Sequence, residues 1–327
     1  MDDSSLENHP DLMDPDWQRH AEKEAWTELR AKRRRAKRGK RLAWTAVLLA
    51  AALAAAVGVY RWGTATAHDQ GAALPVSGAH STSAAPSTIP EFAKVDLSRP
   101  FDNTPAQSWA DSADGLTTPA AVKIGTFSVA DVQDAYDRVK KLIAAAELDR
   151  RVLESHDASG YLALLTPSEQ DRLRPILANR STNEFGNYVT MLADGFHLLR
   201  TGPKINGRLS ARLGDREAEL VVHAEYVVGY AFDPGDYRPI TSPADIEAFQ
   251  RTAADYVIRT SPPYVKRDAG LSLGAGEGWT YSMACGPAKA GYLAPTYSEH
   301  SLHAPEGGDD QTKVFDLNAP MPTSSTC

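Results

Sequence analysis

The sequence predicts an α+β protein held to a membrane by one N-terminal transmembrane helix. Three observations predict it. Nine Lys/Arg between Arg30 and Arg41 precede an uncharged run from Leu42 to Tyr60. Apolar residues recur at helical spacing from Ser128 onward, and after about Tyr188 the period changes to two. Helices followed by a run of antiparallel strands, one of them long, describe a helix layer packed on a curved sheet.

The membrane span comes first. About 19 residues at roughly 1.5 Å rise cover about 28 Å, the thickness of a bilayer's hydrocarbon core. Trp44, Tyr60 and Trp62 stand at its ends, where amphipathic rings favour the headgroup level. Cations crowd the N-terminal side, and Arg61 alone follows before a stretch poor in Lys and Arg. The positive-inside rule then places residues 1–41 in the cytoplasm, 42–62 across the lipid and the rest outside. Ala65-Thr66-Ala67 could serve as the cleavage site of a signal peptide. However, the 41 residues ahead of the apolar core far exceed an ordinary n-region. The expected location is the cell membrane, single-pass, with an extracellular C-terminal domain.

Residues 1–29 are acidic and too poor in apolar side chains to fold alone. From Asp16 the chain favours a juxtamembrane helix. Its basic cluster, Arg30–Arg41, is expected to rest on the anionic lipid of the inner leaflet, each charge contributing about 1 kcal/mol. The net charge of −7 and the lack of aromatic residues within the cluster argue against nucleic acid as a partner. Residues 63–122, rich in Ala, Ser, Thr, Gly and Pro, read as a tether with a flexible reach of about 45 Å. Phe101, Trp109 and Leu116 have no place in a simple tether, so its second half should lie on the folded domain as an extended strap.

The folded domain is expected over 123–285. Ser128 with Asp131 makes a capping-box start, and Val132, Tyr136, Val139, Ile143 and Ala146 form one apolar stripe. Tyr161–Leu165 marks a second helix. Thr166, Pro167 and Glu169 read as N-cap, N1 and N3 of a third, which Pro175 should perturb or shorten. The clearest strand runs from Glu217 to Phe232. Leu220, Val222, Ala224, Tyr226, Val228, Tyr230 and Phe232 share one face, and Gly229 is the expected bulge. Leu209–Leu213 pairs with it through the turn Gly214-Asp215-Arg216. Ser242-Pro243-Ala244-Asp245 opens a short helix, and Tyr256–Thr260 and Gly278–Cys285 supply further strands. From 286 to 327 no period survives, which predicts an irregular tail.

The chain has two cysteines, Cys285 and Cys327, both on the expected outer side. An oxidising compartment makes a Cys285–Cys327 disulfide the natural reading, closing about 43 residues for roughly 3–4 kcal/mol. Two free thiols, or Cys327 pairing with another chain, are the alternatives. His300 and His303 do not have the spacing of a His-Glu-x-x-His site, and nearby prolines place them in a loop. His223 and Glu225 share a strand face as i and i+2 neighbours, and cross-strand polar pairing is their simplest role. Gly270, Gly274, Gly276 and Gly278 only loosely resemble a phosphate-binding loop and read instead as a hairpin turn. The sequence therefore assigns no catalytic, cofactor-binding or metal residue, and no cofactor.

Pro100-Phe101-Asp102-Asn103-Thr104-Pro105 with Trp109, the helix from Phe127 to Leu153, Cys285-Gly286, Gly291-Tyr292-Leu293-Ala294-Pro295 and Cys327 together carry a resemblance. Over about residues 30–327 the chain resembles a group of uncharacterised single-pass membrane proteins of actinobacteria. More distantly, the exterior domain resembles the cystatin-like cone shared with nuclear-transport-factor-type domains. Bitopic conjugative-transfer and type IV secretion scaffolds carry such domains outside the membrane. The resemblance implies a non-enzymatic scaffold or binding component of an envelope assembly, with envelope proteins as partners. An extracytoplasmic small-molecule enzyme using the cone pocket, or a ligand sensor, are the alternatives. Convergent His, Asp or Glu side chains deep in the cone would favour the enzyme, and an apolar filling would favour the scaffold.

Overall fold

In the computed structural model, residues 85–236, 240–299 and 313–322 are described. Among them no helix is long and apolar enough to cross a membrane. The span expected at 42–62 lies outside the described residues, as do the basic cluster Arg30–Arg41, His300, His303 and Cys327.

The domain is α+β with a five-stranded mixed sheet. The strands are β1 (Leu116–Thr117), β2 (Lys204–Leu213), β3 (Glu219–Ala231), β4 (Glu247–Arg259) and β5 (Gly270–Tyr281), adjacent in that order. β1 runs parallel to β2, and all other neighbours are antiparallel. The sequence reading had only antiparallel strands. The parallel member is the end of the strap, which returns to the β2 edge. The long helix α1 (Val129–Glu147) lies on the inner face, followed by α2 (Arg150–Leu153), α3 (Ser159–Ala163) and α4 (Pro167–Ala178).

The local chemistry explains these elements. Ser128 Oγ accepts from Asp131 N at 3.2 Å while Asp131 Oδ2 accepts from Ser128 N at 2.8 Å, which closes the expected capping box. The stripe of Val132, Tyr136, Val139, Ile143 and Ala146 is buried throughout. Thr166 caps α4 as expected. Pro175 does not end that helix, which continues to Ala178. The carbonyl that a helical residue at 175 would have bonded is at Asp171, an exposed residue, beside solvent.

Three strand expectations are corrected. Gly229 is not a bulge, because it pairs in register with both Lys204 and Phe249. Its hydrogen is needed for close approach: a Cβ there would stand 2.9 Å from the Phe249 ring. The register shift lies instead between β4 and β5, at Ala254–Tyr256. β4 begins at Glu247, directly after helix α5 (Pro243–Ile246), nine residues ahead of the expected start. The glycine-rich stretch read as a turn is β5, and Cys285 opens a short helix, α6 (Cys285–Lys289), rather than ending a strand.

Each face of the sheet has its own core. The inner one gathers α1 to α4 against Leu220, Val222, Tyr226, Val228 and Tyr230. On the outer face Val227, Ala231, Phe249, Trp279 and Tyr281 are covered by Ile89, Phe101 and Ala106 of the strap and by Val314 near the C-terminus. The strap expected from Phe101, Trp109 and Leu116 therefore lies on the domain. The tail is not wholly irregular, since residues 313–315 are helical.

Polar groups fix the outer cover. The Arg251 guanidinium has no solvent exposure, bonds Glu225 Oε1 at 2.6 Å and donates to the carbonyls of Lys313 and Ala319. Arg208 bonds the other Glu225 oxygen at 2.8 Å and reaches Leu317 O and Asn318 Oδ1. Removing Arg251 leaves Glu225 with Arg208 alone and strips the Lys313 and Ala319 carbonyls of their buried charged donor. Arg251→Ala is expected to lower stability by about 3 kcal/mol in denaturant unfolding of the full chain. It should also open residues 313–321 to limited proteolysis.

Candidate functional site

The inner face does not fill completely. A cavity of about 470 Å³ lies between the C-terminal half of α1, the segment around residues 186–189 and strands β4 and β5. A smaller one of about 200 Å³ adjoins it across Asn187, Val189, Gln250 and Thr280. Pairing register explains the space. Gly276 and Gly278 of β5 stand opposite Ala254 and Thr252 of β4. Two adjacent inward positions on β5 thus carry no side chain. A Cβ on Gly278 would meet only ordinary contacts, at 3.5 Å from Arg251 O and 3.9 Å from Thr252 Oγ1.

Glu147, the last residue of α1, stands in the wall of this cavity and is 5% exposed. It occupies the apolar face of its helix, four residues after Ile143. Tyr226 and Tyr230 project from the buried face of β3, also four residues apart, and both hydroxyls reach it. Tyr230 OH donates to Oε2 at 2.9 Å and Tyr226 OH to Oε1 at 3.2 Å. Thr190 Oγ1 lies 2.6 Å from Oε2 and 2.9 Å from Gln250 Oε1. Tyr161 and Tyr256 complete an aromatic wall, Tyr256 hydrogen-bonding Tyr226.

Burial pushes the Glu147 carboxyl above its ordinary range, against the three hydroxyls, which favour the charged form. One hydroxyl hydrogen on Thr190 cannot serve both Glu147 and Gln250. A protonated Glu147 that donates to Thr190, or a Gln250 amide turned to donate to it, resolves the conflict. Burial likewise raises Tyr161, Tyr226, Tyr230 and Tyr256, so their hydroxyls stay neutral. Among the described residues lining either cavity there is no Lys, Arg or His. Arg172, close by, stacks on Tyr188 and is paired with Glu169. Among the described residues, the buried carboxyl thus has donors and no counter-charge.

Of the residues singled out from sequence, Gly274, Gly276 and Gly278 line the cavity, and the polar ones go elsewhere. His223 Nδ1 lies 2.8 Å from Asp255 Oδ1, and Glu225 joins Arg208 and Arg251. These are cross-strand pairs on the outer face, and they do not converge. The glycine row is a strand and not a phosphate loop. Cys285 is on α6, and its expected partner Cys327 lies outside the described residues. Among the described residues no group of three His, Cys, Asp or Glu could hold a metal ion.

Not read from the sequence were Glu147, Thr190, Tyr226, Tyr230, Gln250 and Tyr256 as a site. Two signals were present: an acid on the apolar stripe of α1, and glycines at period two. No family model matches the chain, and neither a curated protein nor a solved structure matches it.

The raised carboxyl fixes a sign for pH dependence. A group whose folded value lies above its unfolded one favours folding below the unfolded value, and that contribution is lost as pH rises toward the folded value. Glu147→Gln removes the titration. The variant is therefore expected to match wild type near pH 4 and to be more stable at pH 8. The gain should grow by about 1.4 kcal/mol for each pH unit above the unfolded value, until the folded value is reached. Thermal unfolding of the two proteins across that range checks it.

Proposed function

We propose that the chain is a single-pass cell-membrane protein whose exterior α+β domain binds a small molecule in the Glu147 cavity, as the binding component of an envelope assembly. The orientation rests on the basic cluster before the uncharged run at 42–60. One observation carries the binding reading: a buried acid and three hydroxyls converge beside open space that two glycines leave unfilled. A domain acting only as a scaffold needs no such interior. A pocket with neutral hydroxyls and few charged groups suits recognition. On this reading Cys285 and Cys327 form a disulfide on the outer side that ties down the C-terminal tail.

The test has two arms on the full chain. Protease added to intact cells should remove the C-terminal domain and spare residues 1–41. Survival of that domain until the cells are broken would overturn the orientation. In detergent, a set of fragment-sized aromatic alcohols, amides and amines should include compounds that raise the melting temperature of wild type. Gly278→Leu, which fills the cavity, should abolish those shifts. Absence of any shift in wild type, or shifts equal in the variant, would overturn the binding site.

A further inference from the structure

The cavity carries information about the charge of its ligand. Glu147 is surrounded as an ionised carboxylate would be, with hydroxyl groups from Thr190, Tyr226 and Tyr230 directed at its two oxygens. Yet no cationic side chain among the described lining residues faces it. A buried carboxylate normally has a positive partner, because an isolated ion in such a place is very costly. Glu147 is also the last residue of a 19-residue helix, whose C-terminal end carries a negative partial charge and favours cations. Aromatic rings from Tyr161, Tyr226 and Tyr256 wall the same space, and ring faces attract an ammonium group.

From this arrangement we infer that the cavity takes a small organic ammonium ion with an apolar or aromatic body, whose positive charge is the counter-charge Glu147 lacks. This rests on the binding reading above and specifies its chemistry. In the empty cavity the carboxyl holds a proton. When the ammonium ion enters, that proton leaves to solvent and the carboxylate stays behind, so one cation is exchanged for another and total charge balances. Thr190 then donates to Glu147, and the Gln250 amide can rotate its N–H toward the Thr190 oxygen that it formerly accepted from. Phosphates and carboxylates are disfavoured, because nothing among the described lining residues offers them a positive charge and the lining carries three acids, Glu147, Asp255 and Glu277.

Calorimetry on the full chain in detergent micelles at pH 6.5, with phenethylamine and its neutral isostere phenethyl alcohol as probes, tests this. The amine is expected to bind wild type at least tenfold more tightly than the alcohol. It should release close to one proton per bound molecule, read from the dependence of the heat on the buffer's ionisation enthalpy. In Glu147→Gln the tenfold preference and the proton release should vanish. The proton release in wild type is a readout that needs no variant. Equal binding of amine and alcohol to wild type, or amine binding without proton release, would overturn the cationic ligand and leave the cavity reading standing. Displacement of the amine by potassium ions at equal concentration would reassign the site to an inorganic cation and overturn it too. Binding of neither probe would count against the cavity itself.

Discussion

Removal of the Glu147 carboxyl from water is the constraint on which the rest of the inner face depends. An ionised carboxylate in such a place, without a partner, costs several kcal/mol even after the surroundings relax. A neutral carboxyl costs far less, provided that its oxygens and proton are hydrogen-bonded. Thr190, Tyr226, Tyr230 and Gln250 meet that condition together, and they come from a loop and two strands. The cluster therefore ties the end of α1 to the middle of the sheet. Replacing any one hydroxyl changes both the packing and the proton balance of the acid.

The two faces of the sheet divide the work. The outer face is closed by the strap and by residues 313–321, held through the Glu225, Arg208 and Arg251 cluster. A second buried acid, Glu247, lies on this side with neither carboxyl oxygen hydrogen-bonded, and burial raises it well above the ordinary range. The neighbouring Thr104 hydroxyl is taken up by Phe101 O. Both segments cover apolar surface that would otherwise be open, so the face is not a free docking site. The inner face keeps its space because β5 gives up side chains at Gly276 and Gly278.

Much of the fold was legible in the sequence. The capping box at Ser128, the stripe from Val132 to Ala146 and the alternation along β3 each follow from local periodicity, which packing reinforced. What periodicity could not show was the pairing. Glu247 to Asp255 lacks a clean alternation, since Glu247, Arg251 and Asp255 face the outer layer and find partners or burial only there. Glycines at 274, 276 and 278 suggest a turn in isolation. Only alignment beside β4 shows them as a strand with an empty inner side. The site was illegible for the same reason: Glu147, Thr190 and Tyr230 are brought together by tertiary packing across 83 residues of chain.

The most direct test of this account is the protonation state of Glu147 in the unliganded protein. Infrared difference spectra of the full chain against Glu147→Gln, recorded at pH 7, should show one protonated carboxyl stretch belonging to Glu147. A carboxylate band in its place at pH 7, titrating in the ordinary glutamate range, would contradict the account.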